Sequence, residues 1–244
     1  MHKHNIAHLY ATGDSFVFGQ GLKGHNISEF YNFTPELRKN CYTGIIADIW
    51  KIPHYTNTAL PGGSNDRIIR KIMFDIPELL HGVPAKEVFV HVGLTHPSRT
   101  EFFTTKYKHY IPHISQFQPD IINYGNVRSL WELYVAYFDD VNENVDRYTM
   151  QIVNLQTFLK SLGVRYMIAR VMSEDHTFNT TVNASKPGLR SLIDTHRFPQ
   201  DILPFNQYVQ SRGCKLTQCL HADEEGHRVW AEFLMNYMEA NRLV

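Results

Sequence analysis

The sequence ATGDSFVFGQG occupies residues 11–21 and follows a short apolar segment at residues 6–10. An apolar run that ends in small residues is typical of a buried strand followed by a turn. Gly13 suits such a turn because it adopts backbone angles closed to other residues, and Asp14 can hydrogen-bond to its own loop. Ser15 is therefore placed at the carboxyl end of a strand, where open α/β sheets hold their ligand crevices.

Two interpretations of Ser15 follow from this position. A serine at a strand end is a nucleophile if a histidine reaches it and accepts its proton. The other interpretation is that Ser15 only closes the turn or caps a helix, as most isolated Gly-Asp-Ser tripeptides do.

The remaining pattern predicts an α/β domain that spans residues 1–244 without an internal linker or repeat. Apolar runs, either continuous or ended by turn residues, predict further strands at residues 54–60, 86–93 and 164–171. Apolar residues at helical spacing predict helices over residues 35–50, after Ser64 and at the C-terminus, and one long helix or a helix pair over residues 131–162. We expect the apolar seam of residues 141–162 to cover one sheet face, with a seam between two copies as the alternative.

Composition excludes several function classes. Lysine plus arginine and aspartate plus glutamate each total 24, which gives no positive excess for nucleic-acid binding. No apolar run reaches the length of a membrane span, and the polar start MHKHN is unlike a signal peptide. The three cysteines lack metal-type spacing, so reduced thiols in the cytoplasm are expected. We expect no metal and no cofactor.

A second glycine motif, GQGLKG at residues 19–24, matches the GxGxxG pattern of dinucleotide sites. In such sites the motif follows the strand directly and opens a helix. Here it begins several residues after the predicted strand, and the next helix start is the Thr34-Pro35 pair. We therefore expect a loop beside Ser15.

Polar residues also follow the next two predicted strands. The loop at residues 61–65 contains Gly62 and Asn65, and its paired glycines allow close approach of a ligand to the backbone. The loop after residue 93 contains Thr95, Arg99 and Glu101. The last two either position a substrate or hold the loop, or they form an ion pair at the surface.

In this order the motifs resemble those of the SGNH hydrolase family, also called GDSL esterases. The resemblance implies a flavodoxin-like, three-layer α/β/α sandwich with a mostly parallel sheet. It also implies that Ser15 is the nucleophile and that the Ser15 N–H and Gly62 form an oxyanion hole. Thr95 stands where the family has an asparagine, and its hydroxyl can donate one hydrogen bond.

The last block of that family carries an aspartate and a histidine, and two alignments are open here. In the preferred one His221 is the catalytic histidine and Gln218 replaces the aspartate, so that Gln218 or a backbone carbonyl holds the imidazole. In the alternative, Glu224 and His227 are the catalytic pair. We prefer His221 because His227 would lie inside the final helix, whereas catalytic groups favour loops.

These features predict a serine esterase or deacetylase that removes an acetyl or other short acyl group from a sugar or small molecule. The alternative is a degenerate binding or structural module with the same fold. We expect no nucleic-acid or membrane partner and allow for a homo-oligomer. The segment 95–101 is similar to a divergent branch of the family in phage and bacterial genomes, which makes a phage origin an expectation.

Overall fold

The computed structural model describes residues 4–22, 34–104, 109–113, 132–134, 136–137, 140–172 and 185–244. Its central sheet contains the strands β1 His8–Thr12, β2 His54–Asn57, β3 Val88–Leu94 and β6 Arg165–Arg170. The four strands are parallel and lie in the order β2-β1-β3-β6. All seven residues of β3 are buried, as expected for a central strand covered on both faces. The predicted α/β class with a parallel sheet is confirmed.

The helices are α1 Ser15–Phe18, α2 Pro35–Asn40, α3 Tyr42–Ile49, α4 Asn65–Leu80, α5 Val141–Ser161, α6 Pro187–Arg190, α7 Phe205–Ser211 and α8 Glu224–Ala240. Two apolar clusters cover the two faces of the sheet. Helices α3 and α8 contribute to one cluster, with Ile46, Trp230 and Leu234. Helices α4 and α5 contribute to the other, with Ile72 and Ile152. The result is the expected three-layer arrangement, and the α5 seam packs in the sheet-covering cluster.

The single helix predicted over residues 35–50 is wrong in one respect. Cys41 has extended backbone angles (φ −71°, ψ 151°), which divide the segment into α2 and α3. Cys41 is buried, and its sulfur lies 3.2 Å from the hydroxyl of Tyr55. The helical apolar spacing continues across this break, so the sequence pattern does not show it.

A second, two-stranded antiparallel sheet consists of β4 Thr100–Thr104 and β5 His109–His113. The sequence did not predict this hairpin because its connection, residues 105–108, contains no glycine, proline or asparagine to mark a turn.

Among the described helices, none combines the length and the apolarity that a bilayer crossing requires.

Candidate active site

The turn that carries Ser15 is closely packed at the end of β1. A side chain on Gly13 would collide with Val17 and would place a Cβ atom 2.9 Å from the carbonyl oxygen of Gly93. Only glycine fits there, since real Cβ atoms essentially never approach so closely. Ser15 is the first residue of α1 and is 5% exposed. The sequence therefore predicted the turn and the place of the serine, but its reason for Gly13 is wrong, because Gly13 has no positive φ and is required by close packing.

Asp14 is completely buried, and its carboxylate accepts three hydrogen bonds in the described structure. One carboxylate oxygen, Oδ1, accepts from the backbone N–H of Phe16 at 2.9 Å. The other, Oδ2, accepts from the Thr95 hydroxyl at 2.6 Å and from Arg99 Nη1 at 3.1 Å. Burial of a carboxylate is costly unless it is paired and hydrogen-bonded, and these three donors satisfy that condition. Asp14 thus connects the Ser15 turn to the loop after β3.

Thr95 does not offer the oxyanion donor that the sequence suggested. Its hydroxyl donates to Asp14, and its backbone N–H donates to Asn65 Oδ1 at 3.0 Å. The Asn65 amide in turn donates to the carbonyl oxygens of Thr95 and His96, at 3.2 and 3.4 Å. Both residues are buried, at 1% and 0% exposure. In this geometry they hold the loop after β3, and their polar groups are engaged with the protein.

Arg99 and Glu101 do not pair with each other. Arg99 is 4% exposed, bonds to Asp14, and places Nη2 3.0 Å from the sulfur of Met172. Glu101 accepts two hydrogen bonds from Arg70 of α4, at 2.9 and 3.0 Å. Of the two alternatives that the sequence left open, the surface ion pair is therefore not formed. Arg99 instead holds the loop after β3, because its guanidinium joins that loop to Asp14 and Met172.

The loop after β2 lies directly against the Ser15 turn. The N–H of Leu60 donates to the Gly13 carbonyl at 3.1 Å, and Gly62 has a φ of +73°, which favours glycine. In the part of the chain that the structure describes, the N–H groups of Gly62 and Ser15 make no hydrogen bond. Both groups therefore remain available as donors next to the turn.

The loop that carries His221 is a tight turn closed by its own backbone. Leu216 and Ala222 form a β-bridge, and the N–H of Thr217 donates to the His221 carbonyl at 2.7 Å. Nδ1 of His221 lies 2.8 Å from the carbonyl oxygen of Cys219. Because a carbonyl only accepts, this contact requires the proton on Nδ1 and leaves Nε2 as the acceptor of the neutral ring. Nε2 is buried and has no hydrogen-bond partner among the described residues.

His221 and Ser15 lie on neighbouring segments. The ring of Phe16, which follows Ser15, packs 4.7 Å from the imidazole of His221, measured between ring centroids. Within the described residues Ser15 and His221 do not hydrogen-bond to each other. In serine hydrolases such contacts are often long without a ligand and tighten when substrate binds.

Gln218 does not occupy the place of a triad acid. Its side chain is exposed and makes no hydrogen bond in the described part of the chain. The partner of the His221 Nδ1 is the Cys219 carbonyl, which agrees with the second of the two expected holders of the imidazole. Sequence patterns cannot identify a backbone acceptor, because every residue carries one.

Cys219 is a residue that the sequence did not single out. The neighbouring side chain of His221 is the largest influence on the Cys219 thiol and lowers its pKa to about 7. The hydroxyl of Thr217 lies 3.2 Å from its sulfur. The predicted glycine loop packs here too, since a Cβ on Gly21 would lie 2.8 Å from the sulfur. Gly19 ends α1, whereas Lys23 and Gly24 lie outside the described residues.

Glu224 and His227 do not form the alternative catalytic pair in this geometry. His227 is 1% exposed, and its Nδ1 accepts a hydrogen bond from the backbone N–H of Tyr42 at 3.1 Å. Burial, with a smaller effect from nearby His221, lowers the pKa of His227 to about 3. Glu224 is exposed in the first turn of α8, and the side chain of Asp223 caps that helix. The remaining ring nitrogen of His227, Nε2, has no hydrogen-bond partner in the described structure, so no hydrogen bond joins it to Glu224.

Metal ligation is not evident in this region: among the described residues no group of three His, Cys, Asp or Glu side chains could hold a metal ion. The chemical content of the site is therefore a buried serine, an imidazole with a fixed tautomer, a thiol and two backbone donors.

Several solved structures are similar to this chain. A variant of an acetyl-xylooligosaccharide esterase from Geobacillus has a TM-score of 0.49 and 13% sequence identity, covering 95% of this chain and 93% of that one. A protein described as a GDSL-like lipase from Parabacteroides merdae has a TM-score of 0.46 and 15% identity, covering 97% and 96%. A psychrotrophic esterase from Pseudoalteromonas has a TM-score of 0.45 and 8% identity, covering 96% and 97%.

No curated protein matches the chain in sequence. A family model does match it, and the match covers residues 31–243, beginning after the Ser15 turn. Because this is most of its length, the chain belongs to DUF6071, a family of unknown function.

Proposed function

We propose that this protein hydrolyses esters through an acyl-enzyme intermediate. The Ser15 hydroxyl attacks the ester carbonyl carbon while Nε2 of His221 accepts the hydroxyl proton. Collapse of the tetrahedral intermediate breaks the bond to the alcohol, which leaves with the proton from His221. A water molecule then repeats both steps, releases the acid and regenerates Ser15.

The observation that carries this proposal is the tautomer of His221, together with its buried acceptor nitrogen. A neighbouring carbonyl fixes its proton on Nδ1 and leaves a buried, unpartnered Nε2 in the described structure. A general base needs an acceptor nitrogen of this kind within reach of the proton it removes. The contact of Phe16 with the imidazole supports placing that nitrogen close to Ser15.

Oxyanion stabilisation in this proposal comes from two backbone donors, the N–H groups of Ser15 and Gly62. Neither is used elsewhere in the described part of the chain, and the Leu60–Gly13 hydrogen bond holds their two loops together. Preorganised donors of this type contribute strongly because they need no rearrangement during the reaction. Thr95 contributes indirectly, through Asp14.

For the substrate, we propose an acetyl or other short acyl ester of a sugar or small molecule. This choice rests on the resemblance of the motifs to GDSL esterases. The mechanism uses only side chains and backbone groups of this chain, so neither a metal nor a cofactor takes part in it.

The test is hydrolysis of p-nitrophenyl acetate by the native protein and by Ser15→Ala. We expect Ser15→Ala to lose at least 100-fold in turnover, whereas Ser191→Ala serves as the control. Ser191 is exposed, and within the described residues its hydroxyl donates only to the nearby Gly188 carbonyl. Equal turnover by the native protein and Ser15→Ala would refute the role of Ser15.

A binding or structural module is the competing function, and one observation favours it. The Thr95 hydroxyl and the Asn65 amide, which could have completed an oxyanion hole, are engaged with the protein. A fluorophosphonate probe separates the two functions because it reacts only with an activated serine. A Ser15-dependent adduct would exclude the inactive module, and its absence would favour it.

A further inference from the structure

We infer that Arg99 is a positioning residue for Ser15 and that it acts through the carboxylate of Asp14. The inference deepens the proposed function, on which its catalytic part rests. It concerns three segments that Asp14 and Arg99 join: the Ser15 turn, the loop after β3, and the residues just after β6.

The first step is the geometry around Ser15 itself. Asp14 precedes the serine and its Oδ1 accepts the N–H of Phe16, which follows the serine. The side chain of Asp14 thus closes a ring across Ser15 and limits its backbone freedom. Such rings are typical of aspartate in tight turns. Any rotation of the carboxylate would break this hydrogen bond and release the backbone of the serine.

The second step is what prevents that rotation. Oδ2 of Asp14 is held by Arg99 and by the Thr95 hydroxyl, and all of these groups are buried. A guanidinium is a planar, rigid donor that can bind two partners at once. Arg99 does so, since its second nitrogen contacts the sulfur of Met172 just after β6.

The third step is the anchoring of Arg99 to the scaffold. The N–H of Arg99 donates to the His96 carbonyl at 3.1 Å, which closes a turn around Pro97. Arg147 of α5 donates to the Pro97 carbonyl at 2.8 Å, and Asn65 of α4 holds residues 95 and 96. Two long helices therefore fix the loop, the loop fixes Arg99, and Arg99 fixes Asp14.

The experiment compares two arginine-to-lysine variants. Arg99→Lys keeps the charge but loses the planar geometry that joins Asp14 to Met172. Arg70→Lys is the matched control, because it weakens the Arg70–Glu101 pair at the other side of the same loop. Each variant is measured for hydrogen exchange of the Phe16 amide, for thermal stability, and for the kinetics of fluorophosphonate labelling.

We expect Arg99→Lys to speed exchange of the Phe16 amide at least tenfold and to slow the maximal labelling rate at least tenfold. The probe concentration for half-maximal rate should change less than twofold, because the carboxylate does not contact the probe. Arg70→Lys should show native exchange and native labelling once each rate is corrected for the folded fraction. Equal behaviour of the two variants, once corrected for the folded fraction, would overturn the inference.

Two further arms keep the result decisive. If Arg99→Lys does not fold, the neutral pair Asp14→Asn with Arg99→Met replaces it, since removing both charges avoids a lone buried ion. Native exchange and native labelling in that double variant would overturn the inference, and faster exchange would support it. If the native protein gives no Ser15-dependent adduct, the proposed function fails, and Phe16 exchange alone decides the role of Arg99.

Discussion

Replacing His221 by glutamine should remove most of the esterase activity and leave the fold intact. The change deletes the acceptor Nε2, and loss of a general base lowers rates by about 10²–10⁴. At about 1.36 kcal/mol per factor of ten, this is about 2.7–5.4 kcal/mol of transition-state stabilisation. His221 lies on a loop, and among the described residues its imidazole makes one hydrogen bond, to the Cys219 carbonyl, so the melting temperature should change little.

The matched variant is His227→Gln, which should act in the opposite way. Its imidazole accepts the N–H of Tyr42 inside the protein, and loss of that acceptor costs about 1–3 kcal/mol of stability. For a chain of this length the melting temperature should fall by about 2–12 °C. The protein remains mostly folded, because native stabilities are about 5–15 kcal/mol, so turnover per folded molecule should be unchanged.

The assay measures p-nitrophenyl acetate turnover at pH 7 beside the melting temperature from circular dichroism. Activity retained in His221→Gln and lost in a folded His227→Gln would refute this reasoning. It would show that Glu224 and His227 are the working pair after all.

Two other predictions concern titrating groups. The pKa of the Cys219 thiol is lowered to about 7, whereas burial, followed by the nearby carboxylates, raises the pKa of Cys214. Iodoacetamide at pH 7 should therefore alkylate Cys219 first. Peptide mass spectrometry measures both rates, and faster modification of Cys214 would contradict this prediction. Burial lowers the pKa of His91 and of His227 to about 3. Between pH 6.5 and pH 5 the unfolded chain therefore binds more protons than the native protein does. The free energy of unfolding should consequently fall as the pH falls. Urea titrations at several pH values should show that the free energy of unfolding changes with pH by up to about 1.4 kcal/mol per pH unit for each of these histidines. If His227→Gln showed the same pH dependence as the native protein, the lowered pKa of His227 would be contradicted.

The sequence predicted the sheet and its turns well because their physical signals are local. The apolar run of β3 and the small residues after β1 identify buried strands and the places where they end. Cap residues such as Ser64 and Asp223 are equally local, and both cap the expected helices. The boundaries shifted by a few residues, since strand ends depend on pairing with neighbours.

The polar partners could not be predicted in the same way. Arg99 and Asp14 are separated by 85 positions, and nothing in either segment states that their charges neutralise each other. Glu101 stands two residues from Arg99 and looked like its partner, but Glu101 belongs to β4, where it faces α4 and bonds to Arg70. A buried ion pair is a property of the packed sheet ends, not of either sequence segment.

The place of the carboxylate has a chemical consequence for the proposed reaction. In a serine triad the acid has two tasks: it fixes the tautomer of the imidazole, and it stabilises the imidazolium that forms. Replacing that acid by its amide lowers kcat about 10⁴-fold, because the imidazole then has the wrong tautomer. The Cys219 carbonyl performs the first task, since it accepts only from a protonated Nδ1. It carries no net charge and performs the second task weakly. The carboxylate of Asp14 is neutralised by Arg99 and does not substitute for it. The proposed esterase therefore keeps the histidine orientation of a triad without the charge of its acid. Its loss of kcat relative to a full triad should be smaller than the loss that a wrong tautomer causes.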